Sequence, residues 1–369
     1  MKTRSILMTT LCALMMGAGF ASCSDSEDWE DISTNPYHEY YTYILNEGLW
    51  GANNANITAI SIQSSDNEIK NKINLYEKKN GQKLGDLANA MIEEDKNIYV
   101  VLNGSKYVAR LDQTANEKAR YTIPEGEGEP RCIAVEDEYA YVTQHGGQIS
   151  KLNIEDMTLV STFKGGDNLE GIVEENGKLY VANAWKIDGS NNYLYNKELL
   201  VIDAKTMKLE GTIPVVDNPV NMYEFNDKIY VISQGNYADV QAALQVIDTK
   251  TRTSKVILKD VDKITEGFNG WIYGVRSTYD ANWNPINTFF IYNPKNDEIN
   301  ETSFLQDAPS SFSSSAIYLL EVDEDHGFIY VGTSDYTNSG TIYQFNRNGK
   351  LIQSFDSGGI NPSTMIFFG

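Results

Sequence analysis

The chain has 369 residues and a formal net charge of −21, with 41% hydrophobic, 22% charged and 11% aromatic residues. The apolar share can fill a core. The acidic balance excludes nucleic acid and anionic lipid headgroups as natural partners, because both select basic surfaces. The 23 tyrosines point to β-structure and to wetted binding surfaces.

At the N-terminus, Lys2 and Arg4 precede a mostly apolar run from Ile6 to Phe20, followed by Ala21, Ser22 and Cys23. The run has the length of a signal-peptide core and is short for a membrane span. Small residues before a cysteine resemble a bacterial lipobox, which implies lipidation of Cys23. The acidic stretch Ser24-Asp25-Ser26-Glu27-Asp28-Trp29-Glu30-Asp31 resembles the surface-export signal of Bacteroidetes lipoproteins, which implies an outer-membrane anchor facing the cell exterior. The expected division is a signal peptide over 1–22, a lipidated acidic tether over 23–38 and one folded body over 39–369. An extended tether would reach about 40–50 Å. With Cys12 in the removed segment and Cys23 lipidated, Cys132 has no disulfide partner. Its setting, Arg131-Cys132-Ile133-Ala134-Val135, reads as a strand in which the thiol is a small core group.

A repeat begins at Tyr43-Ile44 and returns at Tyr99-Val100, Tyr141-Val142, Tyr180-Val181, Tyr230-Val231, Tyr273-Gly274 and Tyr330-Val331. The floor of this spacing, near 40 residues, is the period of a four-stranded propeller blade. Eight residues before the tyrosine stands Met91, Ile133, Ile172, Met222 or Val322, with Thr265 breaking the pattern in the sixth repeat. Turn signals such as Glu175-Asn176-Gly177-Lys178 separate this strand from the tyrosine strand. Downstream, an apolar strand ends in Asp or Asn, as in Ile202-Asp203 and Ile247-Asp248, and a last strand follows. Each repeat therefore reads as strands A to D with period-two patterning and no helix. The first repeat lacks strand A, and Asn361-Pro362 to Phe368 supplies the match for it. The expected fold is all-β: a seven-bladed β-propeller of four-stranded antiparallel blades, closed by the C-terminal strand completing the first blade.

Loops between strands B and C should share one face around the central channel. In the first repeat they carry Trp50, Asn53 and Asn54; in the second, Tyr107; in the third, Gln144 and His145. The fourth offers Asn183, Trp185, Tyr193 and Tyr195; the fifth, Gln234, Asn236 and Tyr237. The sixth offers Arg276, Tyr279 and Trp283, and the seventh Tyr336. Indoles and phenols stack on flat or apolar surfaces, and amides hydrogen-bond, so this face suits a large uncharged ligand. Trp271 belongs to the opposite face. The three histidines, His38, His145 and His326, are placed too far apart to converge, which disfavours a histidine zinc site or a catalytic triad. Channel carboxylates Glu129, Glu170 and Glu266 leave open a calcium site, and Asp188-Gly189-Ser190-Asn191-Asn192 matches no complete calcium loop. No catalytic residue, resident metal or cofactor is assigned, and a binding protein is expected in place of an enzyme.

The opening Tyr43-Ile44-Leu45-Asn46-Glu47-Gly48-Leu49-Trp50-Gly51-Ala52-Asn53-Asn54-Ala55 resembles the start of Bacteroides surface propellers of the YncE-like family. The segments around Tyr180 to Thr206 and Tyr230 to Thr251 resemble the same propellers. Within that family the best-understood group, which this opening resembles, is the BtuG group of surface lipoproteins. It implies capture of cobalamin or a related corrinoid, carried as cargo, for delivery to a BtuB-like TonB-dependent outer-membrane transporter. A surface glycan-binding propeller and a calcium-dependent propeller hydrolase remain alternatives.

Overall fold

The computed structural model describes residues 39–63, 69–72 and 74–368. Cys23, the expected signal peptide and tether, and His38 lie outside them. The described residues fold into seven four-stranded antiparallel sheets. Six blades take consecutive strands, over residues 88–122, 130–164, 168–214, 219–259, 261–300 and 316–356. The first blade is composite: its order is Pro362–Phe368, Glu39–Asn46, Asn56–Gln63 and Ile69–Lys72. Strand A of this blade therefore comes from the C-terminus, with Thr42 opposite Phe367 and Ile44 opposite Met365. The seven-bladed expectation and its closure both hold. Among the described residues no helix is long and apolar enough to cross a membrane. One six-residue helix, Leu75–Asn80, lies between the first and second blades.

Strand B is nearly all buried along the body of the blade because both its faces meet neighbouring sheets, as in Asn97–Leu102 and Lys228–Ser233, and emerges only at its far end in the fourth and sixth blades. The seven repeat tyrosines are all buried. They pack in wedges between adjacent blades. One wedge joins Tyr141 and Ile149 of the third blade to Leu179, Val181 and Ile202 of the fourth. Another joins Leu319, Tyr330 and Ile342 of the seventh to Ile44, Ile60 and Met365 of the first. A phenol spans a wedge and still reaches a carbonyl beyond it: the Tyr43 hydroxyl donates to Gln113 O at 2.7 Å.

The Asp or Asn that ends strand C closes the following turn. Asp112 Oδ1 accepts from the N–H of Thr114 at 2.9 Å and of Asn116 at 3.0 Å. Such a side chain replaces a lost ladder partner and fixes the chain reversal. A residue late in the turn is left-handed, as at Ala115, Met157 and Met207.

Pairing of strand A with strand B slips in every blade, always near the end that faces the B–C loops. Asn89, Arg131, Glu170, Val220, Asp262, Tyr318 and Ser363 fall in the slips. The register also corrects the sequence alignment of two repeats. Ile264 and Leu320, not Thr265 and Val322, stand opposite the residue after the repeat tyrosine. The A–B tips of the sixth and seventh blades are longer, so a fixed offset of eight misses them.

Candidate functional site: the channel mouth and its aromatic rim

The seven slips place one bulged residue per blade around the upper mouth of the channel. A bulge bends its strand and re-aims a side chain, which is why bulges gather beside sites. Four of the seven residues, Arg131, Glu170, Asp262 and Tyr318, are ionisable and come from four blades. Arg131 Nε donates to Glu170 Oε2 at 2.7 Å, and His145 Nε2 lies 2.9 Å from Glu170 Oε1. Burial works to raise the Glu170 carboxyl; His145 and Arg131 outweigh it and hold the group below the ordinary range.

Across the mouth, the Tyr318 hydroxyl donates to the Glu47 carboxylate. Burial raises Glu47, and the Tyr318 hydroxyl, Arg131 and Lys263 counter only part of that. Lys263 Nζ lies 5.4 Å from the Tyr318 ring centroid and 3.8 Å from Asp262 Oδ2. The mouth is therefore a set of compensated charges. It can exchange hydrogen bonds with a polar ligand group while its own ions remain paired.

Deeper along strand A of the seventh blade, Glu321 accepts from the Thr265 hydroxyl at 3.2 Å. Burial pushes its carboxyl up to about 7, against that hydroxyl, a Met365 backbone bond and Lys263. Cys132 is a free thiol, raised by burial, and packs beside the wedge of the third and fourth blades. It has the environment of an inert core thiol.

Above the mouth stand four aromatic dyads. Trp185 meets Tyr193 at 5.2 Å, Tyr195 meets Tyr237 at 5.6 Å, Tyr279 meets Trp283 at 6.2 Å and Tyr318 meets Tyr336 at 5.9 Å. In each dyad at least one ring is more than half exposed. The dyads occupy the fourth to seventh blades. Tyr237 lies within electrostatic reach of Tyr195 and Tyr279, and Tyr336 of Tyr279, Asp262 and Glu47. The rings thus form an arc that bends over the charged mouth. His145 joins its end, 5.5 Å from Trp185.

The sequence candidates divide on this geometry. Trp185, Tyr193, Tyr195, Tyr237, Tyr279, Trp283, Tyr336 and His145 come together on the upper face, and Trp50 stands exposed at the tip of the first blade. Tyr107, Gln144 and Asn183 do not belong to the rim: all three are buried. Tyr107 donates to Leu84 O beneath the short helix. Gln144 donates to Ser150 at 2.7 Å, and Asn183 accepts from Asp167 N at 2.9 Å. A loop-end amide two residues from an exposed ring is as well placed to close the sheet as to meet a ligand, and sequence spacing does not separate the two.

Arg276 is held by Asp260 and Glu301. Gln234 accepts from the Tyr237 hydroxyl, and Asn236 Oδ1 caps its own loop through Ala238 N at 3.0 Å and Val240 N at 2.9 Å. These three support the rim. Asp188 is spent in the same manner, accepting from Ser190 N and Asn192 N. Glu266 accepts from Asn226 at an A–B tip and so sits at the end of strand A opposite Glu170. The three carboxylates considered for calcium therefore do not converge. Among the described residues no group of three or more His, Cys, Asp or Glu side chains is gathered as a metal site.

Reasoning from sequence missed Glu47, Arg131, Asp262, Lys263 and Tyr318. A signal was present: each bulged residue lies two positions before the buried apolar residue of strand A, from Asn89 and Met91 to Ser363 and Met365. Only the true register aligns the series.

The opening motif is a clasp. Asn46 is fully buried and donates to Asn56, Thr58 and Ser357 O. Glu47 N and Gly48 N donate to the carbonyls of Asn361 and Ile360, and Ala88 N donates to Glu47 O. Asn54 Oδ1 accepts from Leu49 N at 2.9 Å, and Asn53 takes a left-handed turn position. The motif thus ties the first blade to the chain on both sides, and the amides of Asn46 and Asn54 serve the fold. Gly48 has φ of 78°, and a Cβ there would lie 2.6 Å from Asn54 Oδ1 and 2.7 Å from Ala55 N. Gly48→Ala is expected to cost about 2–3 kcal/mol, measurable as a lower urea midpoint with an unchanged m value.

Comparison with solved structures agrees with the fold. Hydrazine synthase of Kuenenia stuttgartiensis superposes with a TM-score of 0.55 at 15% identity, over 69% of this chain and 74% of that one. The computationally designed Ika8 protein gives 0.52 at 10% identity, over 87% and 89%. U3-55K gives 0.50 at 11% identity, over 73% and 81%. These likenesses concern the fold alone. No curated protein sequence matches the chain. Residues 40–222 match the family model DUF5074, a domain of unknown function, a span that ends inside strand A of the fifth blade. The chain is thus a seven-bladed β-propeller whose residues 40–222 match the DUF5074 family model.

Proposed function

We propose that this protein captures a large, mostly uncharged molecule on its upper face, and that the molecule is cobalamin or a related corrinoid. The observation that carries the reading is the arc of four aromatic dyads over a mouth of paired charges. A flat macrocycle edged with amides would stack its face on the exposed rings. Its amide arms would exchange hydrogen bonds with the mouth, and no covalent step is needed. The lipobox-like Cys23 and the acidic run after it support a surface-anchored propeller that passes its cargo to a BtuB-like TonB-dependent transporter.

Titration of the purified propeller with cyanocobalamin in a calorimeter is expected to give saturable one-to-one binding at micromolar concentration or tighter. Absence of heat at that concentration would remove the corrinoid reading. A second reading, capture of a surface glycan, draws on the same paired rings, since a pyranose face stacks on a single indole. Binding on an immobilised glycan panel, together with silence toward cyanocobalamin, would select it.

A further inference from the structure

Three rings of the arc sit on backbone that large side chains avoid. Tyr237, Trp283 and Tyr336 have φ of 55°, 66° and 61°. In this left-handed region the Cβ crowds the following carbonyl, so glycine and asparagine are the usual occupants.

The molecule contains its own comparison for Trp283. Its turn runs from Asp280 to Asn284: Asp280 Oδ1 accepts from Asn282 N and Asn284 N, and Trp283 N donates to Asp280 O. The turn from Asp188 to Asn192 repeats these bonds, with Asn191 at φ of 63° in the place of Trp283. Longer turns on the opposite face, in which the left-handed residue donates to the carbonyl four residues back, hold Met157 and Met207. There the side chains are buried, and burial offsets the strain. Trp283 is 81% exposed, and its ring contact is the edge of the dyad with Tyr279. Tyr237 and Tyr336 are likewise more than half exposed, each touching one ring below it. Strain without compensating burial in the free protein indicates that the side chain serves another purpose.

From this we infer that Trp283, flanked by Tyr237 and Tyr336, is the specificity-determining contact of the upper face, raised by left-handed turns to meet a ligand with a flat apolar face spanning the fifth to seventh blades. The inference rests on the capture reading above and assigns its residues. Asparagine is the natural replacement because Asn191 already fills the equivalent place.

Trp283→Asn, Tyr237→Asn and Tyr336→Asn should each leave the melting temperature unchanged or raise it, by about 1–3 °C. Each should weaken the probe, cyanocobalamin or a glycan from the panel, at least tenfold, with Trp283→Asn the largest loss. Met157→Asn, at a left-handed position whose side chain is buried, should melt several degrees lower and serves as the control. Variants that bind as tightly as the native protein overturn the inference while leaving capture standing. A clear fall in melting temperature for all three also overturns it, because the rings would then be packing residues. If the native protein binds neither probe, the capture reading falls and this assignment falls with it.

Discussion

Removal of residues 362–369 is expected to leave a chain that no longer unfolds cooperatively and that aggregates on expression. The strand Pro362–Phe368 is the innermost strand of the first blade and the partner of strand Glu39–Asn46. It buries Met365, Ile366 and Phe368. The Phe368 ring meets Tyr43 at 4.9 Å, and Phe367 stacks on Tyr330 of the seventh blade at 5.5 Å. Each buried side chain contributes about 1.5–3 kcal/mol. Three of them approach the whole stability of an ordinary domain, about 5–15 kcal/mol. The truncation also leaves strand Glu39–Asn46 with an unpaired inner edge, a template for pairing with other chains.

A rearranged chain separates loss of the strand from loss of length. Residues 360–368 placed ahead of residue 39 through a short hairpin would turn the composite blade into a continuous one. That chain should recover soluble expression and a single unfolding transition. A truncated protein with the native melting temperature would show that the ring does not depend on this closure.

Glu321→Gln is expected to stabilise the protein by about 3 kcal/mol at pH 8 and to change little at pH 4. Burial raises this carboxyl to about 7, above its ordinary value of 4.5. A raised carboxyl means that the folded state holds the proton more tightly than the unfolded chain. Its cost to stability is therefore absent below about pH 4.5, grows as pH rises to about 7 and is constant beyond. Glutamine retains an acceptor for the Thr265 hydroxyl and never ionises. Urea melts of the native and variant proteins at pH 4, 6 and 8 read the difference directly. Equal shifts at all three values would mean that Glu321 is solvated in the channel.

Glu170 runs the other way. Its carboxyl is lowered by His145 and Arg131, so its contribution is present above the unfolded carboxylate range and disappears as pH falls through the folded value. The two carboxylates of strand A thus give opposite slopes: Glu170 favours neutral pH and Glu321 favours acid. They differ because Arg131 and His145 contact Glu170 directly, whereas Lys263 acts on Glu321 only through its charge.

The exposed rings and the buried amides of the B–C loops look alike in sequence, and their fates diverge for a packing reason. Trp283 lies beyond the last paired residues of its hairpin, Tyr279 and Pro285. Asn183 and Gln144 lie within paired positions, opposite Glu198 and Gln148. The rim rings Trp185, Tyr193, Tyr195 and Tyr279 are paired as well, but on the part of the hairpin that extends past strand D. The boundary depends on how far each hairpin stays paired, and the second and third blades stop early.

What the sequence determined by itself was the blade. Alternating apolar residues, the Tyr-Val strand, the Asp or Asn at the end of strand C and the match between Pro362–Phe368 and the other inner strands are local patterns, and local patterns carry period and closure. The tertiary structure alone decided the mouth. Arg131, Glu170, Asp262 and Tyr318 are separated in sequence by 39 to 92 residues from one to the next. They share one mouth because ring closure sets the inner strands of the third, fourth, sixth and seventh blades around one channel and because a one- or two-residue slip recurs near the same end of each. A slip of that size leaves the hydrophobic pattern of the strand readable and reverses the direction of one side chain.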